Sequence, residues 1–134
     1  MSSVIEIEGI GEVYAGKLHE AGVATTESLL EKGATPRGHK ELAEHTGISE
    51  TLILKWVNRA DLFRVPGVGE QYSDLLAAAG VETVLELAQR RPDHLHEKLV
   101  ETNEAKRLVR VVPSLEHVAD WVQQAHKLSR VVSY

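Results

Sequence analysis

A chain of 134 residues has room for one ordinary domain or two very small ones, and 43% hydrophobic with 26% charged residues is an ordinary globular balance. Cysteine is absent, which excludes disulfides, thiolate metal sites and a cysteine nucleophile. The formal charge of -5 opposes a general attraction to polyanions and anionic membranes.

The deficit of positive charge is uneven. Residues 1–35 carry six acidic and two basic side chains, residues 36–63 four of each, and residues 64–134 ten acidic and nine basic, so a polyanion is expected to prefer the second half. Met1 to Gly9 hold Glu6 and Glu8 where a signal peptide would place Lys or Arg, and no apolar run has membrane-spanning length. A cytoplasmic protein with no membrane partner is expected.

The chain opens with Gly9-Ile10-Gly11, after which Val13, Ala15, Leu18 and Ala21 recur at helical spacing. Gly22 stops that helix, because glycine accepts the left-handed conformation of a C-terminal cap, and Thr25 is the N-cap of the next. Leu42 and Ala43 belong to a further helix, and Leu52, Ile53, Trp56, Val57 and Ala60 form the apolar face of another. Then Gly67-Val68-Gly69 opens a second series: Tyr72, Leu75, Leu76 and Ala79 at helical spacing, Gly80 as the stop, and Thr83 as an N-cap with Glu86 placed to complete a capping box. Leu95, Leu99 and Val100 predict one more helix. Val109, Val111 and Val112 allow an extended stretch too short for a sheet, and Pro113-Ser114 starts a last helix with Leu115, Val118, Ala119, Val122 and Ala125 on its apolar face.

The two series are one sequence used twice. At an offset of 58, residues 9–29 match residues 67–87 at ten of 21 positions, among them Gly9/Gly67, Gly11/Gly69, Glu12/Glu70, Tyr14/Tyr72 and Gly22/Gly80. At an offset of 65, Ser49, Trp56, Val57 and Ala60 match Ser114, Trp121, Val122 and Ala125, so about seven extra residues fall between Arg90 and Pro113. Two copies are too few for a solenoid, which needs at least ~3 repeats. The expectation is an all-α chain of two tandem units, 1–62 and 63–134, each marginal alone and packed into one compact helical protein around a shared core with Trp56 and Trp121.

Ile7-Glu8-Gly9-Ile10-Gly11 and Val65-Pro66-Gly67-Val68-Gly69, each followed by a short amphipathic helix, resemble the helix-hairpin-helix motif of DNA-binding proteins. With the tryptophan helices included, nearly the whole chain looks like an uncharacterised bacterial family of tandem units catalogued only as a domain of unknown function. The resemblance implies that Ile10 and Val68 are buried, and that the glycine turn and the free amides behind it grip a phosphate with help from nearby Lys or Arg. The physical basis is general: glycine lets backbone approach closely, and a helix N-terminus presents unpaired N–H groups at the positive end of its dipole. Glu12 and Glu70 compete for the same field, since a carboxylate in the first turn is stabilised there by ~0.3–1 kcal/mol.

Glu6, Glu8, Glu12 and Glu20 surround the first turn against Lys17 alone. The second has Arg64 just before it and Arg59 a little earlier, and Lys106, Arg107 and Arg110 at the spacing of one helix face, with Glu101 and Glu104 as candidate ion-pair neighbours. The nucleic-acid-binding set is therefore Arg59, Arg64, Gly67, Gly69, Lys106, Arg107 and Arg110. Residues 39–56 also resemble a helix-turn-helix through Ala43, Gly47 and Ile53, which would turn Thr51, Lys55, Asn58 and Arg59 to a groove. The repeat argues for a packing helix instead, since Asp120 and Gln123 stand where Lys55 and Asn58 do.

Neither the seven histidines nor the dispersed carboxylates form a recognisable metal or catalytic constellation; His94 and His96, two apart, face different sides of a helix. No nucleophile elbow, Walker loop or dinucleotide fingerprint is present. The expected function is non-catalytic and without cofactor or metal: weak, non-specific, salt-dependent binding of a DNA backbone through the second turn. The alternative is a protein-interaction or self-association module that has kept the hairpin as scaffold.

Overall fold

Side-chain caps decide where most helices of this chain begin. The computed structural model describes residues 3–133. After a single 3-10 turn, Val4–Glu6, come α1 (Glu12–Glu20), α2 (Thr26–Gly33), α3 (Pro36–Thr46), α4 (Glu50–Leu62), α5 (Glu70–Ala78), α6 (Val84–Ala88), α7 (Pro92–Lys106) and α8 (Leu115–Lys127). The protein is all-α, as its periodicity requires. The Thr25 hydroxyl accepts from the Ser28 amide at 3.1 Å while the Ser28 hydroxyl accepts from the Thr25 amide at 3.0 Å, a reciprocal box at the start of α2. Thr35 accepts from Gly38 N–H with Pro36 as first helical residue, and Ser114 accepts from His117 N–H. At α6 the expected box is displaced by one residue: Thr83 accepts from Glu86 N–H, but the Glu86 carboxylate accepts from the amide of Glu82.

Both α1 and α5 stop in the same way. Gly22 and Gly80 have φ of +83° and +94°, Val23 N–H bonds Leu18 O at 2.8 Å, and Val81 N–H bonds Leu76 O at 2.9 Å. These six-to-one bonds, with the i→i−3 bonds from Gly22 and Gly80, form Schellman caps. The side chains that each cap pairs, Leu18 with Val23 and Leu76 with Val81, are all fully buried.

The chain divides into two units, Met1–Asp61 with Val131–Tyr134, and Leu62–Arg130. In the first, α2 packs on α3 through glycines: a Cβ on Gly38 would run into the Lys32 carbonyl, and one on Gly33 would come within 2.7 Å of a Val57 methyl. Leu29, Ile53, Trp56 and Val57 are buried there, and Tyr14 meets Trp56 at 5.1 Å between ring centroids. In the second, α8 packs on α6 and α7, and one apolar cluster runs from Leu62 through Val68, Leu76, Leu87 and Leu99 to Trp121 and Ala125. Tyr72 meets Trp121 at 5.3 Å. Each indole thus packs with its own tyrosine inside its own unit. Val13 departs from the expected pattern. Counted on the apolar face of its helix, it is 73% exposed.

The first unit also buries His39, which is 6% exposed on α3. Burial pushes its imidazole below the usual histidine range, against the opposing effects of Glu50 and of a hydrogen bond to the Gly33 backbone. A depressed folded value means that the unfolded chain binds the proton first. The stabilisation is thus present above the unfolded value of about 6.5 and drains away as pH falls through it towards the folded value. The melting temperature of the protein is expected to fall between about pH 7.5 and pH 5, and a His39→Gln variant to show a shallower fall over that window. Parallel pH profiles for the two proteins would contradict this.

Candidate nucleic-acid interface

Glycine makes the second turn possible. Gly67 has φ of +91°, and a Cβ there would stand 3.1 Å from the Trp121 indole nitrogen, so both the backbone sign and the room demand a bare residue. Val68 follows it into the core, its N–H bonded to Val65 O at 3.0 Å, and Gly69 then serves as the N-cap of α5. The first turn repeats this geometry, with Gly9 at φ +94° against the Trp56 indole nitrogen at 3.5 Å and Ile10 buried.

Among the described residues, three helices, α1, α5 and α7, begin without a side-chain cap. Helices α2, α3, α6 and α8 each have a Ser or Thr oxygen on a first-turn amide, whereas Gly11 and Gly69 provide none. Glu70 does not substitute for the missing cap: its side chain is exposed, and it is its backbone carbonyl that accepts from Ser73 Oγ, at 2.8 Å. The amides opening α5 thus retain the donor capacity of an uncapped helix.

The basic residues separate into three kinds. Arg59 is 8% exposed and supplies no cation to the surface; Asn58 beside it is also buried, so of the groove-facing set of a helix-turn-helix Thr51 and Lys55 alone are exposed. Arg64 is half-buried, and its Nη2 donates to the Ser129 carbonyl at 2.8 Å, which ties the guanidinium to the segment after α8. Lys106, Arg107 and Arg110 are exposed and make no ion pair among the described residues, Glu101 and Glu104 included.

These three do not share a helix face, as their spacing had suggested. Helix α7 ends at Lys106, Arg107 takes the left-handed conformation (φ 50°, ψ 48°) as its C-cap, and Arg110 lies in the loop beyond. The loop is nonetheless held in place. The Asn103 side chain donates to Val109 O and accepts from Val109 N–H, both at 3.0 Å, in the manner of a strand partner. The Tyr72 hydroxyl, on the first turn of α5, donates to Val111 O at 3.3 Å. The segment bearing Arg110 is thereby tied to Asn103 on α7 and to the side chain of Tyr72 on α5. Tyr72 and Asn103, which do this, were not among the sequence-derived site residues; the Tyr14/Tyr72 identity was a signal for the first, and nothing marked the second.

Among the described residues no helix is long and apolar enough to cross a membrane, and no group of three or more His, Asp or Glu side chains is placed to hold a metal. The family Domain of unknown function (DUF4332) matches residues 8–128, and the chain belongs to it. No curated protein and no solved structure matches the chain.

Proposed function

We propose that the chain is a tandem helix-hairpin-helix protein that binds nucleic-acid backbone, without catalysis and without reading sequence, through its second hairpin. The observation that carries this reading is the uncapped start of α5, with Gly67 and Gly69 exposed, next to the loop that Tyr72 and Asn103 fix with Arg110 on it. A phosphate oxygen would take the α5 amides, and Arg110, Lys106 and Arg107 would neutralise neighbouring phosphates. Arg59 drops out of the set through burial, and the half-buried Arg64 gives one guanidinium N–H to the Ser129 carbonyl.

Arg110→Glu is the informative variant, because Arg110 has no structural bond to lose, whereas Arg64→Glu would also break the Ser129 contact. It is expected to weaken binding of a generic duplex about tenfold at low salt and to make the salt dependence shallower by one to two ion equivalents, about 0.9 of a log-log slope unit each. Unchanged affinity would remove Arg110 from the site. The protein-interaction alternative draws support from the first turn, where Glu12 adjoins the 73%-exposed Val13. A concentration-dependent mass in sedimentation that Val13→Ser abolishes would favour it.

A further inference from the structure

Of the five large apolar side chains exposed among the described residues, four fall in two short stretches: Ile5 and Val13 around the first glycine turn, Val111 and Leu115 in and just after the loop that follows α7. Each stretch carries charge of one sign. Residues 5–13 hold Glu6, Glu8 and Glu12 and no basic residue, while residues 106–115 hold Lys106, Arg107 and Arg110 and no acidic one. All six charged side chains are exposed, and none makes an ion pair among the described residues. The fold that the two units share demands neither stretch. At the offset of 58, the second unit has Arg64, Pro66 and Gln71 where the first has Glu6, Glu8 and Val13. The first unit joins α3 to α4 through residues 47–49 alone, whereas the second joins α7 to α8 through residues 107–114.

Exposed aliphatic surface beside unanswered charge is the composition of a contact surface, apolar in the middle and charged around it. The loop is also held in advance, since Asn103 and Tyr72 bond its backbone, so covering it orders little that is not already ordered. The charges name the occupant. Three cations with an aliphatic pair are matched by three carboxylates with an aliphatic pair, and the chain carries both sets. A polyanion would answer the cations and leave Val111 and Leu115 in water; the acidic turn answers both. We propose that the first glycine turn of one copy docks on the loop after α7 of a second copy, its carboxylates facing Lys106, Arg107 and Arg110 and its aliphatic side chains meeting Val111 and Leu115. The contact joins two different surfaces and is therefore heterologous. With so few residues on each side, it belongs to the weak, transient class of interfaces. It goes beyond the nucleic-acid reading and needs no nucleic acid.

The test is analytical ultracentrifugation of the full-length chain in low salt with no nucleic acid present. The average mass is expected to rise with protein concentration, with half-association on the order of 10–100 μM, and to return to the monomer in about 0.5 M salt. Two charge reversals make the assignment specific. Glu8→Lys with Glu12→Lys in one protein, and Lys106→Glu with Arg110→Glu in another, are each expected to stay monomeric alone, because the two stretches of each variant then carry the same sign. Mixed in equal amounts they are expected to associate again, since the unaltered acidic turn of one meets the unaltered basic loop of the other. Circular dichroism identifies the folded variants, and all four sites are exposed. Val111→Ser leaves every charge in place and is expected to weaken association about tenfold. A mass that stays monomeric at several hundred micromolar on the order of this range, a mixture of the two folded variants that fails to associate, or association untouched by Val111→Ser would each overturn the proposal.

Discussion

Gly38→Ala is expected to destabilise the protein by about 2–3 kcal/mol, although alanine gains ~1 kcal/mol over glycine in a helix interior. The reason is what the new methyl group meets. It would run into the Lys32 carbonyl and lie 3.2 Å from Gly33 Cα, and both are backbone atoms that no rotamer change can move aside. Either α3 slides away from α2 and uncovers Leu29 and Leu42, or the strain stays in place. Gly16→Ala is the matched comparison: Gly16 lies within α1 with open space around it and an ordinary φ, so there the helix gain is expected to appear undiminished, at about 0.5–1 kcal/mol of added stability. Urea unfolding of the two variants gives the difference directly. If both substitutions stabilise, the close packing of α2 on α3 is wrong.

Trp121→Ala is expected to cost more, about 3–5 kcal/mol. Trp121 is 4% exposed, packs at a tilt against Tyr72 and closes over Gly67, so its removal opens a cavity at the point where α8, α5 and the second turn meet. A unit the size of Leu62–Arg130 has little stability to spare, and loss of its helical signal by circular dichroism at room temperature is the expected result. Trp121→Phe keeps a ring against Tyr72 and is expected to cost roughly half as much. A Trp121→Ala protein that unfolds with an unchanged midpoint would mean that the indole is peripheral to the core.

The architecture was legible wherever one residue type answers one local demand. Gly22 and Gly80 adopt positive φ, Thr25, Thr83 and Ser114 cap, and Ile10 and Val68 turn inward; each is a short-range decision of the backbone. Val13 misled because helical spacing places a residue on a face without saying that the face is covered. The second copy held the warning, since Gln71 occupies the equivalent position.

The site was less legible for a different reason. Whether a cation is available depends on partners far along the chain: Arg64 is tied by Ser129, 65 residues on, and Arg59 is taken into the interior. Nor does composition announce where α7 ends. A left-handed C-cap is usually glycine or asparagine, and here it is Arg107, so helical spacing extrapolated through it gave Lys106, Arg107 and Arg110 a common face that they do not have. The loop that carries Arg110 is held instead by two side chains, Asn103 and Tyr72, whose bonds to it carry no periodic signature.

The claim that the second hairpin grips nucleic-acid backbone is tested most directly by fluorescence anisotropy of a labelled generic duplex against the unmodified protein at two salt concentrations. Three exposed cations predict a log-log slope of about -2.7, which is a loss of about 40-fold in affinity between 50 and 200 mM salt. No binding at tens of micromolar protein in low salt, or binding indifferent to salt, would contradict the account.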